Sequence, residues 1–419
     1  MAFFGNDAIN RVNLHYGIQA LAQSGGGVFV LAFWLREGVA VPAAMLAMAG
    51  ILLGRLAIRP AVLPLAKRWG MKPVLIGGCL LFAFQYPLLA QVHGVGHALY
   101  TVCAVSAIAD VLYWPTYHAY FAALGDAEHR GHQVSAREAL VSITAVVAPL
   151  LGAWGLVALG PHPTFATVGL IQALSALPLL GAPNVAVQHR APNAIRAARF
   201  GVYLALSDGW YEGGFTIVWQ IALFVTLGES ISAFGGAVAL AALVGAASGL
   251  WLGRHVDLGG GRQAVLIAIA VAIAVTLLRA GSFGSPWLAV GANAAGALVA
   301  SLVVPVISTP SYNLAKASPC PMRFHLATEA GYDVGMSSAC VVSAAMAAHG
   351  VSLSFAILLA LPASLLLARL LRGYYATVAA RQPEVDSGNI ASNFGFGEPL
   401  QKWKLFGAKA RRQQRRGSK

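Results

Sequence analysis

The chain has 419 residues, of which 58% are hydrophobic and only 10% are charged, and its mean hydropathy is +0.69. A soluble domain carries roughly 25% charged residues, so this composition excludes an ordinary soluble protein. The net charge of +13 does not indicate a nucleic-acid-binding protein, because the basic residues are concentrated in alternate loops and in the C-terminal tail. Apolar runs recur along nearly the whole chain, whereas barrel strands would alternate over roughly ten residues. The predicted fold class is therefore an all-α integral membrane protein.

The apolar runs predict about twelve transmembrane helices, each near the ~20 residues that cross a bilayer. In chain order, their predicted limits are 13–35, 39–58, 73–92, 96–121, 134–159, 163–181, 200–227, 231–252, 263–280, 286–309, 325–348 and 351–371. The first run is longer than the apolar part of a signal peptide, and no small-residue cleavage site follows it, so we expect no cleaved signal. The four cysteines have no metal-binding spacing, and we expect neither disulfides nor a metal site.

Lysine and arginine residues predict the orientation of the chain. They are concentrated in the connections that follow even-numbered helices, and the connection after helix 2 contains Arg59, Lys67 and Lys72. The opposite connections contain almost none beyond Arg36 and Arg279. By the positive-inside rule we expect both termini in the cytoplasm. The compact, Ala/Gly-rich chain favours a bacterial inner membrane.

The connection between helices 6 and 7 is short, basic and proline-bearing, and it divides the chain into two halves. Four weak matches occur in the same order in both halves, among them Gly25-Gly26-Gly27 with Gly213-Gly214, which favours an internal duplication. The predicted organisation is two pseudo-symmetric six-helix bundles, a cytoplasmic linker and a basic cytoplasmic tail. Their limits are 1–181 and 200–372 for the bundles, 182–199 for the linker and 373–419 for the tail. The end of the tail either binds anionic lipid or remains solvated.

Carboxylates inside the predicted helices are the main candidates for chemistry. Asp208 and Glu212 are four residues apart, so they share one face of helix 7, and Asp110 lies in the middle of helix 4. An ionised carboxylate at mid-bilayer costs on the order of several kcal/mol, so such a group usually faces a polar cavity or a partner. Two interpretations stay open: proton coupling, since burial favours the neutral form of a carboxyl group, or buried pairs that hold helices together.

The predicted architecture and its loops resemble the major facilitator superfamily. The signature loop of that family reads Gly-x-x-x-Asp-(Arg/Lys)-x-Gly-(Arg/Lys)-(Arg/Lys). The loop between helices 8 and 9 matches this pattern at Gly253, Asp257, Gly260 and Arg262, whereas the loop between helices 2 and 3 has Lys67 at the acidic position. Because this loop latches the cytoplasmic side in the family, the resemblance implies a gating role for Asp257 and Arg262.

The fifth helix carries a second feature of the resemblance. Ala148-Pro149 and Gly152 are similar to a degraded Gly-Pro-x-x-Gly motif, which family antiporters carry in this helix. The resemblance covers about residues 8–372 and implies two bundles that rock around a central site lined by helices 1, 4, 7 and 10. The substrate-binding candidates on those helices are Gln19, Gln23, Trp114, Tyr117, Trp210, Tyr211, Trp219 and Gln220.

Charge on those four helices bears on the solute. Carboxylates outnumber cations there, which favours a cationic or neutral, partly aromatic solute, because indole and phenol rings attract cations. Arg55 or Arg137 could instead turn inward and bind an anion. We also expect Arg137, Glu138 and Glu329 to form gating pairs on the cytoplasmic side, either between the halves or with loops, that break and re-form during transport. Asp333 lies one turn deeper, and whether it reaches the cavity stays open.

The predicted function is a proton-coupled secondary active transporter of a small organic solute that works by alternating access. Antiport and export are preferred, with uptake by symport as the alternative. A non-transporting receptor, scaffold or lipid-handling protein of the same fold is the alternative from another class. The sequence has no phosphate-binding P-loop, no HExxH motif and no Cys/His cluster, so we expect no enzyme, no catalytic residues, no metal and no cofactor besides the coupling proton. The expected partners are the bilayer and the solute, without nucleic acid, and the chain is expected to be a monomer.

Overall fold

The computed structural model describes residues 6–125, 130–255 and 261–381, and it describes the backbone alone at 130–140, 250–255 and 379–381. The described residues form helices and connections without strands. Twelve long helical segments, labelled α1 to α12 in chain order, account for most of them. The predicted all-α membrane fold with about twelve helices is therefore confirmed.

The bounds of the segments are as follows. Segment α1 is Asp7–Gly25, continued by a 3-10 turn at Gly27–Phe29 and by Val30–Arg36. Segments α2, α3, α4 and α5 are Val41–Trp69, Met71–Leu89, His97–Leu124 and Arg130–Ala158. Segment α6 is Pro161–Leu174 with Leu177–Leu180. Segment α7 is Arg199–Glu212, continued by a π-helical turn at Gly213–Val218 and by Trp219–Thr226. Segments α8, α9, α10 and α11 are Ile231–His255, Gly261–Ser282, Pro286–Ala317 and Pro321–Ala348. Segment α12 is Leu353–Ile357 with Ala360–Arg381. A short helix, Ala194–Ala197, lies in the connection before α7.

Apolarity divides these segments into two groups. Ten helices in the described part of the chain are long and apolar enough to cross a membrane. The other two long segments, α7 and α11, carry carboxylates within them: Asp208 and Glu212 in α7, Glu329 and Asp333 in α11. Because a carboxylate in a membrane helix is tolerated where protein or water surrounds it, we infer that α7 and α11 lie inside the bundle.

The two halves of the chain meet through a symmetric pair of helix contacts. Segment α2 packs against α11, and α5 packs against α8. At the second contact, glycine allows close approach: a Cβ atom at Gly235 would come within 3.0 Å of the Pro149 carbonyl oxygen. Gly152 has the same effect towards α1, because a Cβ atom there would overlap the Gly25 carbonyl oxygen. The small residues of α5 therefore serve close helix packing.

Interruptions occur in α1 and in α7 at the glycine clusters that the two halves share. In α1 the cluster Gly25-Gly26-Gly27 is followed by the 3-10 turn, and in α7 the π-helical turn begins at Gly213. Glycine weakens helical regularity, and π-helical turns are frequent at functional sites. The corresponding positions of the two interruptions are what an internal duplication predicts.

Segment α7 packs closely against α11 because glycines remove side chains from the contact. A Cβ atom at Gly209 would overlap the Tyr332 carbonyl oxygen, and one at Gly335 would overlap the Leu206 carbonyl oxygen. We expect Gly335→Ala to lower the free energy of unfolding by about 1–3 kcal/mol, because added volume in a packed contact forces the helices apart. Thermal unfolding in detergent measures this effect. The control is Gly77→Ala in α3, where a Cβ atom has nothing within 4 Å. Equal melting temperatures of the two variants would contradict the prediction.

Two arginines that the sequence places in connections lie inside helices. Segment α2 continues to Trp69 rather than ending near 58, so Arg59 is helical and only 5% exposed. Arg279 lies in α9, which ends at Ser282, and it is only 6% exposed. The prediction for Arg59 was wrong because a hydropathy boundary stops at a charge. Arg279 lies within the predicted limits 263–280, and its prediction was wrong only in counting it with the connections. Segment α12 likewise extends to Arg381, beyond the predicted start of the tail at 373.

Candidate functional site

A cluster of charged side chains joins the two halves between α2, α4 and α11. Arg55 lies at its centre, with Nη1 3.9 Å from Asp110 Oδ2, Nη2 3.0 Å from Glu329 Oε2 and Nε 3.1 Å from Asp333 Oδ1. Arg59, one helical turn further along α2, also binds Asp333. Asp333 is fully buried. Arginines of the first half therefore hold acids of the second half in an ionic bridge that must break whenever these surfaces separate.

Several residues predicted from the sequence lie in this ionic bridge. Glu329 pairs across the halves with Arg55, and its gating role stays a prediction. Asp110 accepts a hydrogen bond from Trp114 Nε1 at 3.1 Å as well as facing Arg55. Its geometry is that of a paired carboxylate, so proton coupling at Asp110 stays a prediction. Asp333, which the sequence leaves undecided, is the residue that connects both arginines.

Asp208 and Glu212 differ from the bridge acids, because no cation lies within ion-pair distance of either among the described residues. Both side chains are partly buried on α7. Glu212 accepts a hydrogen bond from Thr216, one turn later on the same segment. Asp208 has no hydrogen-bond partner in the described part of the chain. Tyr332 of α11 interacts electrostatically with both, and with Arg55, so the pair lies next to the bridge.

The aromatic candidates on α7 face three different neighbours. Trp210 donates its indole N–H to the Leu359 carbonyl oxygen at 2.9 Å, which turns the ring towards α12. Tyr211 is buried and stacks on Phe215 with 4.8 Å between ring centroids. Trp219 donates to Asn293 Oδ1 of α10 at 3.0 Å. Trp210 and Tyr211 therefore pack within the second half, whereas Trp219 lies beside a cavity.

That cavity has a volume of about 150 Å³ and lies between α7, α8, α9 and α10, with α1 at one side. Trp219 and Gln220 line it, so two predicted substrate residues share one space. Arg279 and Asn293 line it as well. Arg279 is not among the residues predicted to line the site, because the orientation count assigns it to a connection, whereas Asn293 lies on helix 10, one of the four helices that the resemblance implies line the site.

The candidates of the first half form a separate group around α1 and α4. Gln19 is almost fully buried, and the side chain of Gln23 lies beside Gly27. Tyr117 is buried and stacks on Tyr16 at 4.9 Å between centroids, while Trp114 lies over His118. These four candidates lie on α1 and α4, and none of them lines the cavity of the second half.

Some gating candidates cannot be compared with the described structure. Asp257 lies outside the described residues, and so do the side chains of Arg137 and Glu138. Arg262 is exposed at the start of α9. At the same end of the bundle, the turn between α2 and α3 is held by the linker, because Asn184 donates to the Trp69 carbonyl oxygen at 2.8 Å. The linker therefore holds the turn between α2 and α3 through a side-chain contact.

The end of the bundle that carries the termini also has direct contacts between the halves. The Tyr312 hydroxyl of α10 lies 3.2 Å from His118 Nδ1 of α4. The His118 ring is also 5.6 Å from the ring of His325 of α11, centroid to centroid. These contacts lie one to two helical turns from the ionic bridge, so the halves are in contact at both levels.

Arg59 and Arg279 are the functional candidates that the sequence analysis misses. A usable signal exists for Arg59. It follows Arg55 by four residues, as Asp333 follows Glu329, so each pair occupies one helix face. Two basic groups on one face and two acidic groups on another have complementary spacing. Arg279 has no comparable signal, because its surroundings arise from three other segments.

Comparisons with known proteins agree with this architecture. The chain matches the Major Facilitator Superfamily over residues 16–319. No curated protein sequence matches it. Similar solved structures include an auto-inhibited POT family peptide transporter, with a TM-score of 0.61, 13% identity and coverage of 90% of this chain and 98% of that chain. The structure of the human organic anion transporter MFSD10 (TETRAN) has a TM-score of 0.60 and 16% identity, and the match covers 86% of this chain and 99% of that chain. A mutant of the nucleoside transporter NupG has a TM-score of 0.59 and 14% identity, and the match covers 87% of this chain and 99% of that chain. At these identities the likeness shows the fold alone.

Proposed function

Because the chain belongs to the Major Facilitator Superfamily, which it matches over most of its length, we propose that it is a proton-coupled secondary active transporter of a small organic solute. Transport proceeds by alternating access of the bundles 1–181 and 200–372 to the two sides of the membrane. The three similar structures carry peptides, organic anions and nucleosides by their names, so their likeness does not select a solute. The neighbouring structures are transporters, and this supports transport over an enzymatic role.

The observation that carries proton coupling is the charge state of the centre. Three arginines lie there, Arg55 and Arg59 in the bridge and Arg279 beside the cavity. The five carboxylates Asp110, Asp208, Glu212, Glu329 and Asp333 outnumber these three arginines by two, and neither Asp208 nor Glu212 has a cation within ion-pair distance among the described residues. Two uncompensated carboxylates in a membrane protein are costly when ionised, so a proton or a cationic solute stabilises them. Competition between the two at one site is the requirement for antiport.

Export by antiport is the preferred direction, because a cation bound at Asp208 and Glu212 displaces protons there. Symport is the alternative, since a proton on one acid could precede a solute bound elsewhere. A receptor, scaffold or lipid-handling protein of this fold is the candidate from another class. We place the chain in a bacterial inner membrane as a monomer with both termini in the cytoplasm, where the linker 182–199 and the tail 373–419 also lie.

Proton release on solute binding tests the proposal directly. Purified protein in weakly buffered detergent is titrated with a panel of organic cations, sugars and amino acids, while a pH indicator follows the solution. We expect a cationic solute to release protons, because it favours the ionised carboxylates of Asp208 and Glu212. A solute that binds without any proton change would contradict antiport by competition at these acids. Proton uptake on binding would instead support symport.

A further inference from the structure

The cavity next to Arg279 has features that neither the ionic bridge nor the pair Asp208 and Glu212 explains. The guanidinium group reaches the cavity from α9 through a gap in α10. Gly296 provides that gap, because a Cβ atom there would overlap Nη2 of Arg279. Arg279 is 6% exposed, so nearly all of its charge is removed from solvent. A buried arginine at a position that another helix leaves open indicates a role beyond filling space.

The protein satisfies this guanidinium group only in part. Nη1 donates to the Phe215 carbonyl oxygen at 2.6 Å, within the π-helical turn of α7. The group also lies 4.0 Å from the Phe215 ring centroid and 5.0 Å from that of Trp219, within range of cation–π attraction. Nε is buried and has no hydrogen-bond partner. A buried charge normally requires a paired counterion to offset its desolvation, and neutral partners do not supply one.

Among the described residues, no carboxylate lies within ion-pair distance of Arg279. Glu212 interacts with it electrostatically from beyond ion-pair distance, and its carboxylate accepts a hydrogen bond from Thr216. Arg279 therefore retains the capacity to bind an anion.

The remaining cavity walls define what kind of anion fits. Asn293 has a partner at each end of its amide, because Oδ1 accepts from Trp219 and Nδ2 donates to the Ala237 carbonyl oxygen at 3.0 Å. Gln220 has no hydrogen bond to another described residue, so its amide remains available on the cavity wall. Trp219 and Phe234 provide aromatic surface beside these two polar groups. One cation, one free amide and aromatic walls in about 150 Å³ match a small monocarboxylate with an apolar or aromatic body.

We propose that this cavity binds the carboxylate of a small organic acid, with Arg279 and Gln220 as its polar contacts and Trp219 and Phe234 against its apolar body. The site lies within the second half, between α7, α8, α9 and α10, and neither Asp208 nor Glu212 lines it, although Thr216 on its wall donates to Glu212. It requires no proton coupling. Val28 of α1 also borders the cavity, so the first half closes one side of it.

Calorimetric titration of the purified full chain in detergent tests the site. The probes are benzoate, its neutral analogue benzamide and the cation benzylamine, at constant pH and without a gradient. We expect benzoate to bind and the other two to bind at least tenfold more weakly, because a hydrogen-bonded charge pair contributes about a 10- to 100-fold change in affinity. Binding of benzamide as tight as that of benzoate would overturn the anion assignment. Absence of benzoate binding at millimolar concentration would overturn the site.

Variants locate the probe. Arg279→Met is expected to lose benzoate binding, and Gln220→Leu to weaken it about tenfold while leaving the contact from Arg279 to Phe215 intact. Arg36→Gln, which removes an exposed arginine at the end of α1, is the charge-matched control and should bind as wild type does. The Gln220 variant keeps the test decisive even where the Arg279 variant fails to fold. If the Gln220→Leu variant and the Arg279→Met variant both bind benzoate with unchanged affinity, the anion binds elsewhere and the proposed site is wrong. Because the proton-release test concerns Asp208 and Glu212, which do not line this cavity, failure here leaves that test untouched.

Discussion

Asp333→Asn is expected to lower the free energy of unfolding by about 3–5 kcal/mol, because it leaves a buried arginine without its counterion. Asp333 is fully buried and binds Arg59, which has no other ion-pair partner in the described part of the chain. Asparagine has nearly the same shape, so the loss reflects charge rather than a cavity. Thermal and chemical unfolding in detergent, followed by helical circular dichroism, measures the change.

A double-mutant cycle separates the bridge from other effects of the substitution. Removing both partners, in Arg59→Gln with Asp333→Asn, is expected to recover most of the stability that Asp333→Asn loses, since no uncompensated charge remains. The control is Asp7→Asn, which breaks the exposed pair with Arg11 at 2.7 Å and should change stability by less than about 1 kcal/mol. Additive effects of the two bridge substitutions would show that Arg59 and Asp333 are not coupled.

The bridge also has a consequence for transport. It connects α2 of the first half to α11 of the second, and alternating access requires such surfaces to separate. An ionic contact between halves can break without leaving empty space, because water solvates the separated charges. Weakening the bridge is therefore expected to favour conformations in which the halves have moved apart.

The helices themselves could be predicted from sequence because their cause is local. Each apolar run near twenty residues must satisfy its own backbone hydrogen bonds in lipid, so length and hydropathy are sufficient. The same reasoning places Asp208, Glu212, Glu329 and Asp333 inside helices, since apolar residues surround them in the chain. It fails at Arg59, where hydropathy treats a charge as the end of a segment.

The partners of those residues could not be predicted, because they depend on segments far apart in the chain. Arg55 and Glu329 are separated by 274 positions, and no local pattern states that their helices touch. Arg279 depends on the absence of a side chain at Gly296 and on the π-helical turn at Gly213–Val218. Trp210 turns to α12 rather than to a central site because one backbone carbonyl accepts its N–H. Each of these is a property of packing.

Neutralising the acids of α7 is expected to abolish proton-driven accumulation of solute. One proton moving down one pH unit releases about 1.4 kcal/mol, enough for a tenfold solute gradient. In proteoliposomes that contain Asp208→Asn or Glu212→Gln, we expect the ratio of the solute concentration inside to that outside to fall to one, because the carboxylate that exchanges its proton is gone. Solute exchange without a pH gradient should continue with weaker solute binding, since one carboxylate of the pair remains to bind the cation and exchange requires no net proton movement. The solute is the one that the panel titration identifies.

The direction of the gradient and a control variant make this result specific. An acidic interior drives uptake by antiport, whereas an acidic exterior drives uptake by symport, so wild type distinguishes the two mechanisms. Glu229→Gln removes an exposed carboxylate in the turn after α7 and should accumulate solute as wild type does. Accumulation that persists in both α7 variants would assign the coupling proton to another acid. Asp110 would then be the next residue to test, and its pairing with Arg55 implies that the bridge must open before a proton can reach it.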